Sequence, residues 1–234
     1  MIIQRLATGI KNQDWFVVMV EVMIVVVGVY LGIFIGEAAT QKNLKKDARI
    51  SLELLAEDLK SDQEYLKRVL DINREVITTY KKAINVLKTD PLDLEKAKVA
   101  IIAVHDTNTP TFYPNRSTYQ VMLSKGQLDV LGNYDLRQKI TKLYEMSYLR
   151  SQENGVLYGQ NIDATFMNYF TQYYDPTTNF IIATSVTDFA RFRAGLNNQK
   201  GYFEWYLSVM VVDVKAPLEE VIGVIESYME ANPT

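Results

Sequence analysis

The side chains able to do chemistry in this 234-residue chain are few and scattered. Cysteine is absent, which excludes thiolate catalysis, disulfides and Cys-ligated zinc. Histidine occurs once, at His105 beside Asp106, so an imidazole metal site or a Ser-His-Asp triad would rest on that residue alone. Placed at the end of a helix, it reads as a structural or exposed histidine. The carboxylate pairs Glu57/Asp58 and Glu219/Glu220 are adjacent in sequence and do not face one another on a helix, so they read as solvated surface. Gly155 and Gly159 stand isolated and form no phosphate-binding loop. Fifteen tyrosines raise the idea of an aromatic pocket at Tyr169, Phe170, Tyr173 and Tyr174, although a tyrosine-rich core or interface accounts for them more simply. These residues indicate no catalytic group, metal or cofactor, and the chain reads as a non-enzyme.

The residue that stands out is Glu21, the one acidic or basic side chain in the apolar run Trp15–Gly36. At about 1.5 Å rise per residue that run is long enough to cross roughly 30 Å of hydrocarbon. Gly28, Gly32 and Gly36 recur at four-residue spacing, the pattern that lets membrane helices approach backbone to backbone. Glu21 precedes Gly28 by seven residues, which puts it about 20° from the same helix face. An acid in a membrane helix is costly and faces a partner or a water path, unless it lies close enough to one interface to snorkel. The four residues together are therefore a candidate helix-association face, for a foreign membrane protein or a second copy of the chain.

The run is too long for a signal-peptide core and lacks a clean cleavage site, so it reads as an uncleaved anchor over residues 15–36. Ahead of it, Ile2, Ile3, Leu6 and Ile10 oppose Gln4, Arg5 and Lys11, an amphipathic segment over 1–14 lying in the membrane interface. Residues 37–234 form the extramembrane domain, long enough to bury a core. Lys42, Lys45, Lys46 and Arg49 after the span outnumber Arg5 and Lys11 before it, which on the basic-residue rule favours a cytoplasmic domain. The formal charge of −3 and the absence of a basic stripe argue against nucleic acid.

The span runs on into a helix without Pro or Gly from Glu37 to about Lys88. Leu52, Leu55, Leu59, Leu66, Val69, Val76, Tyr80, Ala83 and Leu87 follow an a/d heptad there, with Asp62 and Asn73 at its polar positions. Such a seam is either the core face of a bundle helix or a coiled-coil stalk in which Asn73 sets register. Pro91 suits the first turn of the next helix, Leu92 to Val104. His105–Pro114 is a polar loop. Ser117 and Gln120 have capping-box spacing and open a short helix ended by Gly126. A second long helix starts near Asn133 and reaches toward Tyr173, with Leu136, Ile140, Leu143, Tyr144, Leu149, Leu157 and Phe166 as its apolar positions. After a turn at 175–179, Thr184 to Leu196 is helical with Phe189 and Phe192 inward. Tyr202–Val214 has strand propensity, but its setting among helices favours helix. Pro217 either kinks the final helix or starts a new one. The fold class is all-α, an antiparallel helical bundle on a membrane anchor.

Two stretches carry a resemblance. One is Glu21-Val-Met-Ile-Val-Val-Val-Gly28; the other is Pro114-Asn-Arg-Ser117-Thr118-Tyr119 followed by Leu123, Ser124, Gly126, Leu128, Leu136, Arg137 and Tyr144. Together they resemble a family of bacterial single-pass membrane proteins with a helical domain of unknown function. Where that family often carries Asn and Trp after the anchor, this chain reads Gly36-Glu37-Ala38-Ala39. The resemblance implies an inner-membrane anchor with the domain in the periplasm, opposite to the basic-residue count. Within the pattern Ser117 caps, Gly126 terminates and Leu128, Leu136 and Tyr144 pack. Arg137 could brace the 105–114 loop or bind an acidic ligand. The functional expectation is a membrane-anchored interaction or accessory subunit, with a sensory or ligand-binding domain that works through a separate signalling partner as the alternative.

Overall fold

The computed structural model describes residues 15–233, with side chains from residue 19 onward except 163–165. The amphipathic segment expected over 1–14 lies outside the described residues. The chain is 81% helical and 2% strand, so the all-α expectation holds.

One helix, α1 (Trp15–Val86), carries both the apolar run, a candidate membrane span, and the bundle core. Its apolar section has a mean hydropathy of 2.4 and is not covered by any other described part of the chain. A polar exposed stretch follows, and burial begins at Ala48. From there every apolar seam position, Leu52 through Leu87, is buried, as are Asp62 and Asn73. The seam is the core face of the bundle and is covered by the chain's own later elements. Those elements are α2 (Leu94–His105), α3 (Ser117–Ser124), α4 (Gln127–Val130), α5 (Tyr134–Lys142), α6 (Leu149–Gln160), α7 (Met167–Phe170), α8 (Val186–Val209) and α9 (Ala216–Ala231).

Wide π-type turns at Leu143–Tyr148, Asn161–Phe166 and Met210–Lys215 join α5 to α6, α6 to α7 and α8 to α9 without a break in the helical path. The last lies just before Pro217, whose missing N–H and ring disturb the regular ladder one turn back. Pro217 thus neither ends the helix nor starts a separate one, and Tyr202–Val214 is helical throughout. Tertiary packing on α1 overrides the strand propensity of that segment.

Several local expectations change. Pro91 follows a cis Asp90–Pro91 bond and precedes α2, whose N-cap is Asp93, bonded to the Lys96 N–H. Ser117 is the first residue of α3 and not its cap. Asn115 takes that role by accepting from the Ser117 N–H at 3.0 Å. Gly126 sits at φ 63° just past α3, the left-handed position a terminating glycine supplies. Ser185 and Asp188 form a full capping box for α8. The turn at 175–179 closes a two-residue hairpin, Tyr174–Asp175 against Phe180–Ile181.

Leu149 and Leu157 face outward, contrary to the apolar reading of the second long helix. Its buried face passes instead through Ser151, Gly155 and Tyr158. The reason is the segment between α2 and α3, which packs against this face and buries Phe112 and Pro114. A Cβ on Gly155 would lie 3.5 Å from Thr111. Asn73 Nδ2 donates to the Pro110 carbonyl at 3.2 Å and to the Val69 carbonyl at 2.8 Å, while the Tyr158 hydroxyl donates to Asn73 Oδ1 at 3.0 Å. Replacing Asn73 with Ala strands the Tyr158 hydroxyl and the Pro110 carbonyl in the interior, and stability should fall by about 2–4 kcal/mol. Urea unfolding of the full chain in micelles, followed by circular dichroism, checks this; a loss within about 0.5 kcal/mol would show that Asn73 does not hold the segment.

Candidate functional site

On the anchor, Glu21 and the three glycines all lie on exposed helix. A Cβ at Gly28, Gly32 or Gly36 would meet nothing within 4 Å, so the glycine face is an open furrow. Around Gly28 it is walled by Val20, Ile24, Val27 and Leu31 and encloses about 340 Å³. Thr40, one turn beyond Gly36, returns its hydroxyl to the Gly36 carbonyl at 2.9 Å. This is the local bond that lets a hydroxyl face an apolar surface without an unmet donor. Thr40 continues the four-residue spacing of small residues, a continuation missed when the stripe is read as glycine alone.

In the bundle, the structure assembles a polar cluster from residues far apart in sequence. Asp62 on α1 accepts from the Asn115 backbone N–H through both carboxylate oxygens, at 3.0 and 3.2 Å. One turn earlier, Asp58 accepts from the Thr118 hydroxyl at 2.5 Å. Asp58 is half-buried and so is not the solvated carboxylate its sequence neighbours suggest. Tyr119 and Tyr144 stack with ring centroids 4.2 Å apart and planes within 1°, and Tyr148 meets Tyr144 edge-on at 5.0 Å. The hydroxyls of Tyr119, Tyr144 and Tyr148 are buried; that of Tyr148 faces the Asp62 carboxylate and that of Tyr119 faces Glu145. Arg116, also at this cluster, pairs with Glu145 at 3.1 Å. Tyr119 and Tyr144 both belong to the sequence pattern of the second stretch; Asp58 and Asp62 do not, and only the fold brings them in.

Electrostatics follow from this burial. Loss of water pushes the Asp62 carboxyl up to about 6; nearby Asp58 adds to the rise, and the Asn115 N–H and Tyr148 oppose it. Burial and the Asp62 charge also drive the Tyr144 and Tyr148 hydroxyls upward, so both stay protonated.

His105 lies over Phe170 and Tyr174, each ring centroid 5.8 Å away, with Nδ1 3.0 Å from Asp106. Among the described residues no group of three or more His, Asp or Glu could hold a metal ion. Arg137 pairs with Asp129 and lies over the Tyr134 ring at 5.4 Å. It ties α5 to α4 rather than bracing the 105–114 loop. Of the four clustered aromatics, Phe170 and Tyr174 are core, whereas Tyr169 and Tyr173 are half-buried and line a cavity of about 420 Å³.

An exposed apolar helix long enough to span a bilayer, leading unbroken into a helical bundle, defines a class: a helical domain on one candidate membrane anchor. The chain belongs to a family of unknown function, DUF6090, whose sequence profile matches residues 21–187. That range opens on Glu21 and takes in the whole Asp58/Asp62–tyrosine cluster. No curated protein and no solved structure matches the chain.

The Asp62 carboxyl binds its proton more tightly folded than unfolded, so the native state carries more protons between about pH 4 and pH 6. Stability contributed by the protonated form is present below pH 4 and is lost as pH rises through 6, by on the order of 2–3 kcal/mol. Asp62→Asn keeps an acceptor for Asn115 and removes the charge. The variant should therefore match the parent near pH 4 and unfold at higher temperature at pH 7.5. Parallel melting curves for the two proteins over the whole window would refute a buried charge at Asp62.

Proposed function

We propose that the protein is a non-enzymatic, membrane-anchored interaction subunit of the bacterial inner membrane, with its helical domain in the periplasm. The observation that carries this reading is the uncovered face of the anchor. Gly28, Gly32 and Gly36 leave a furrow with nothing in it, and Glu21 lies about two turns away on the same side. A second transmembrane helix seated in the furrow would gain close backbone packing and could offer Glu21 a donor. The bundle would then rest on the extramembrane surface of the same partner.

A second reading, a ligand-binding domain that acts through a separate signalling partner, is favoured by the aromatic cavity beside Tyr169 and Tyr173.

Gly32→Leu fills the furrow without altering the bundle. Extracted in gentle detergent, the parent should run as a stoichiometric complex, with either a foreign membrane protein or a second copy, and the variant should run as the free chain. Intact-complex mass determination reads the difference, and an unchanged mass removes the support for docking through this face.

A further inference from the structure

Two adjoining cavities lie where the wide turn Asn161–Phe166 and α7 pack on α8. The first, of about 420 Å³, lies between Phe166, Tyr169 and Tyr173 on one side and Arg191, Gly195 and Gln199 on the other. The second, of about 600 Å³, shares Asn161 and Asn198 with it and adds Leu157, Tyr202 and Trp205. Both fall in the size range of ligand clefts, roughly 300–1,000 Å³.

The aromatic walls are held in place. The Tyr169 hydroxyl donates to the Arg191 carbonyl at 2.5 Å, and its ring crosses α8 where a Cβ on Gly195 would stand 2.0 Å away. Glycine at 195 is thus what admits this ring. Tyr173 packs 5.1 Å from Tyr169 and 5.2 Å from buried Phe192, which ties the wall to the core.

The polar groups are less well served. Asn161 Oδ1 and Gln199 Nε2 are buried and have no hydrogen-bond partner, and Gln199 is 3% exposed. Unpaired buried amides are unfavourable, and an acceptor and a donor on one cavity are both met by a hydroxyl group. Among the described lining residues, Arg191 at the exposed rim is the one charged group, which disfavours a cation as ligand. The rings of Tyr169 and Tyr173 are inclined at 53° and those of Tyr202 and Trp205 at 77°, so neither pair makes the parallel slot a planar base fills. They suit a ring with C–H groups on its faces and hydroxyls at its edge.

We propose that this cleft binds a neutral saccharide, with a pyranose face against Tyr169 and Tyr173 and hydroxyls on Gln199 Nε2 and Asn161 Oδ1. The proposal deepens the ligand-binding reading and does not depend on docking through the anchor. Complex mass reads the one and sugar binding the other, so their failures are distinct.

The test uses the full chain in a sugar-free detergent, carrying Trp15→Phe so that Trp205 alone reports, titrated separately with cellotriose and chitotriose. At least one sugar should change the Trp205 emission saturably. Gln199→Leu, which removes the donor and keeps the volume, should weaken that sugar about tenfold. Asn198→Ala, at an exposed position lining both cavities, should weaken it too, and decides the matter if the Gln199 variant does not fold. No saturable response to either sugar overturns the proposal. So does a response that adenosine reproduces, or one that the folded variants leave unchanged.

Discussion

The bundle is organised around a stretch of chain with no secondary structure of its own. Between α2 and α3 the chain packs onto the bundle through Phe112 and Pro114, and where its backbone is shielded from water the N–H and C=O groups must find partners without a helix or sheet ladder to supply them. Side chains supply them: Asp62 takes the Asn115 N–H, Tyr65 gives its hydroxyl to Thr111, Asn73 donates to Pro110, and Tyr206 accepts from Phe112. Pro110 and Pro114 lower the demand, since neither has an N–H to satisfy. The polar positions in the α1 seam, the small buried face of α6 and a buried tyrosine on α8 all answer this one requirement. Without the segment, Asp62 would lose its backbone donor at Asn115 and Asn73 its acceptor at Pro110.

This explains which features were legible in the residue pattern. The heptad seam of α1 was plain because Leu, Val and Tyr recur there over more than five turns. What covered it was not. A polar residue in an a/d seam reads as a register marker in a coiled coil, and nothing local distinguishes a partner helix from an internal loop that needs donors and acceptors. The same gap produced the misreading of α6. There the helix buries Ser151 and Gly155 because the side chains of Thr111, Tyr206 and Met210 crowd against it, and Leu149 and Leu157 are left outside. Asp58 was invisible for a related reason: adjacency to Glu57 rules out a facing pair but says nothing of Thr118, sixty residues on.

The cap residues divide in the same way. Gly126 was readable because a left-handed position just past a helix has few alternatives to glycine. Ser117 and Gln120 had the right spacing, but Asn115 reached the helix start first. At the two ends of the bundle, long-range arginines add to the local bonds that finish two helices. Arg193 donates to the Leu87 carbonyl beyond α1, and Arg49 to the carbonyls of Met229 and Asn232 at the end of α9. These contacts join residues more than a hundred positions apart, beyond the range of any sequence window.

The passage from anchor to bundle inside one helix has a mechanical meaning. No glycine or proline interrupts residues 37–47, and the exposed helix there stands the first buried turn roughly 16 Å clear of the apolar run. A flexible tether would pass on only position. This strut also passes on azimuth: each residue added or removed within it would swing the bundle by about 100° around the helix axis relative to the glycine furrow. Whatever sits in the furrow therefore sets the compass bearing of the cleft between α7 and α8.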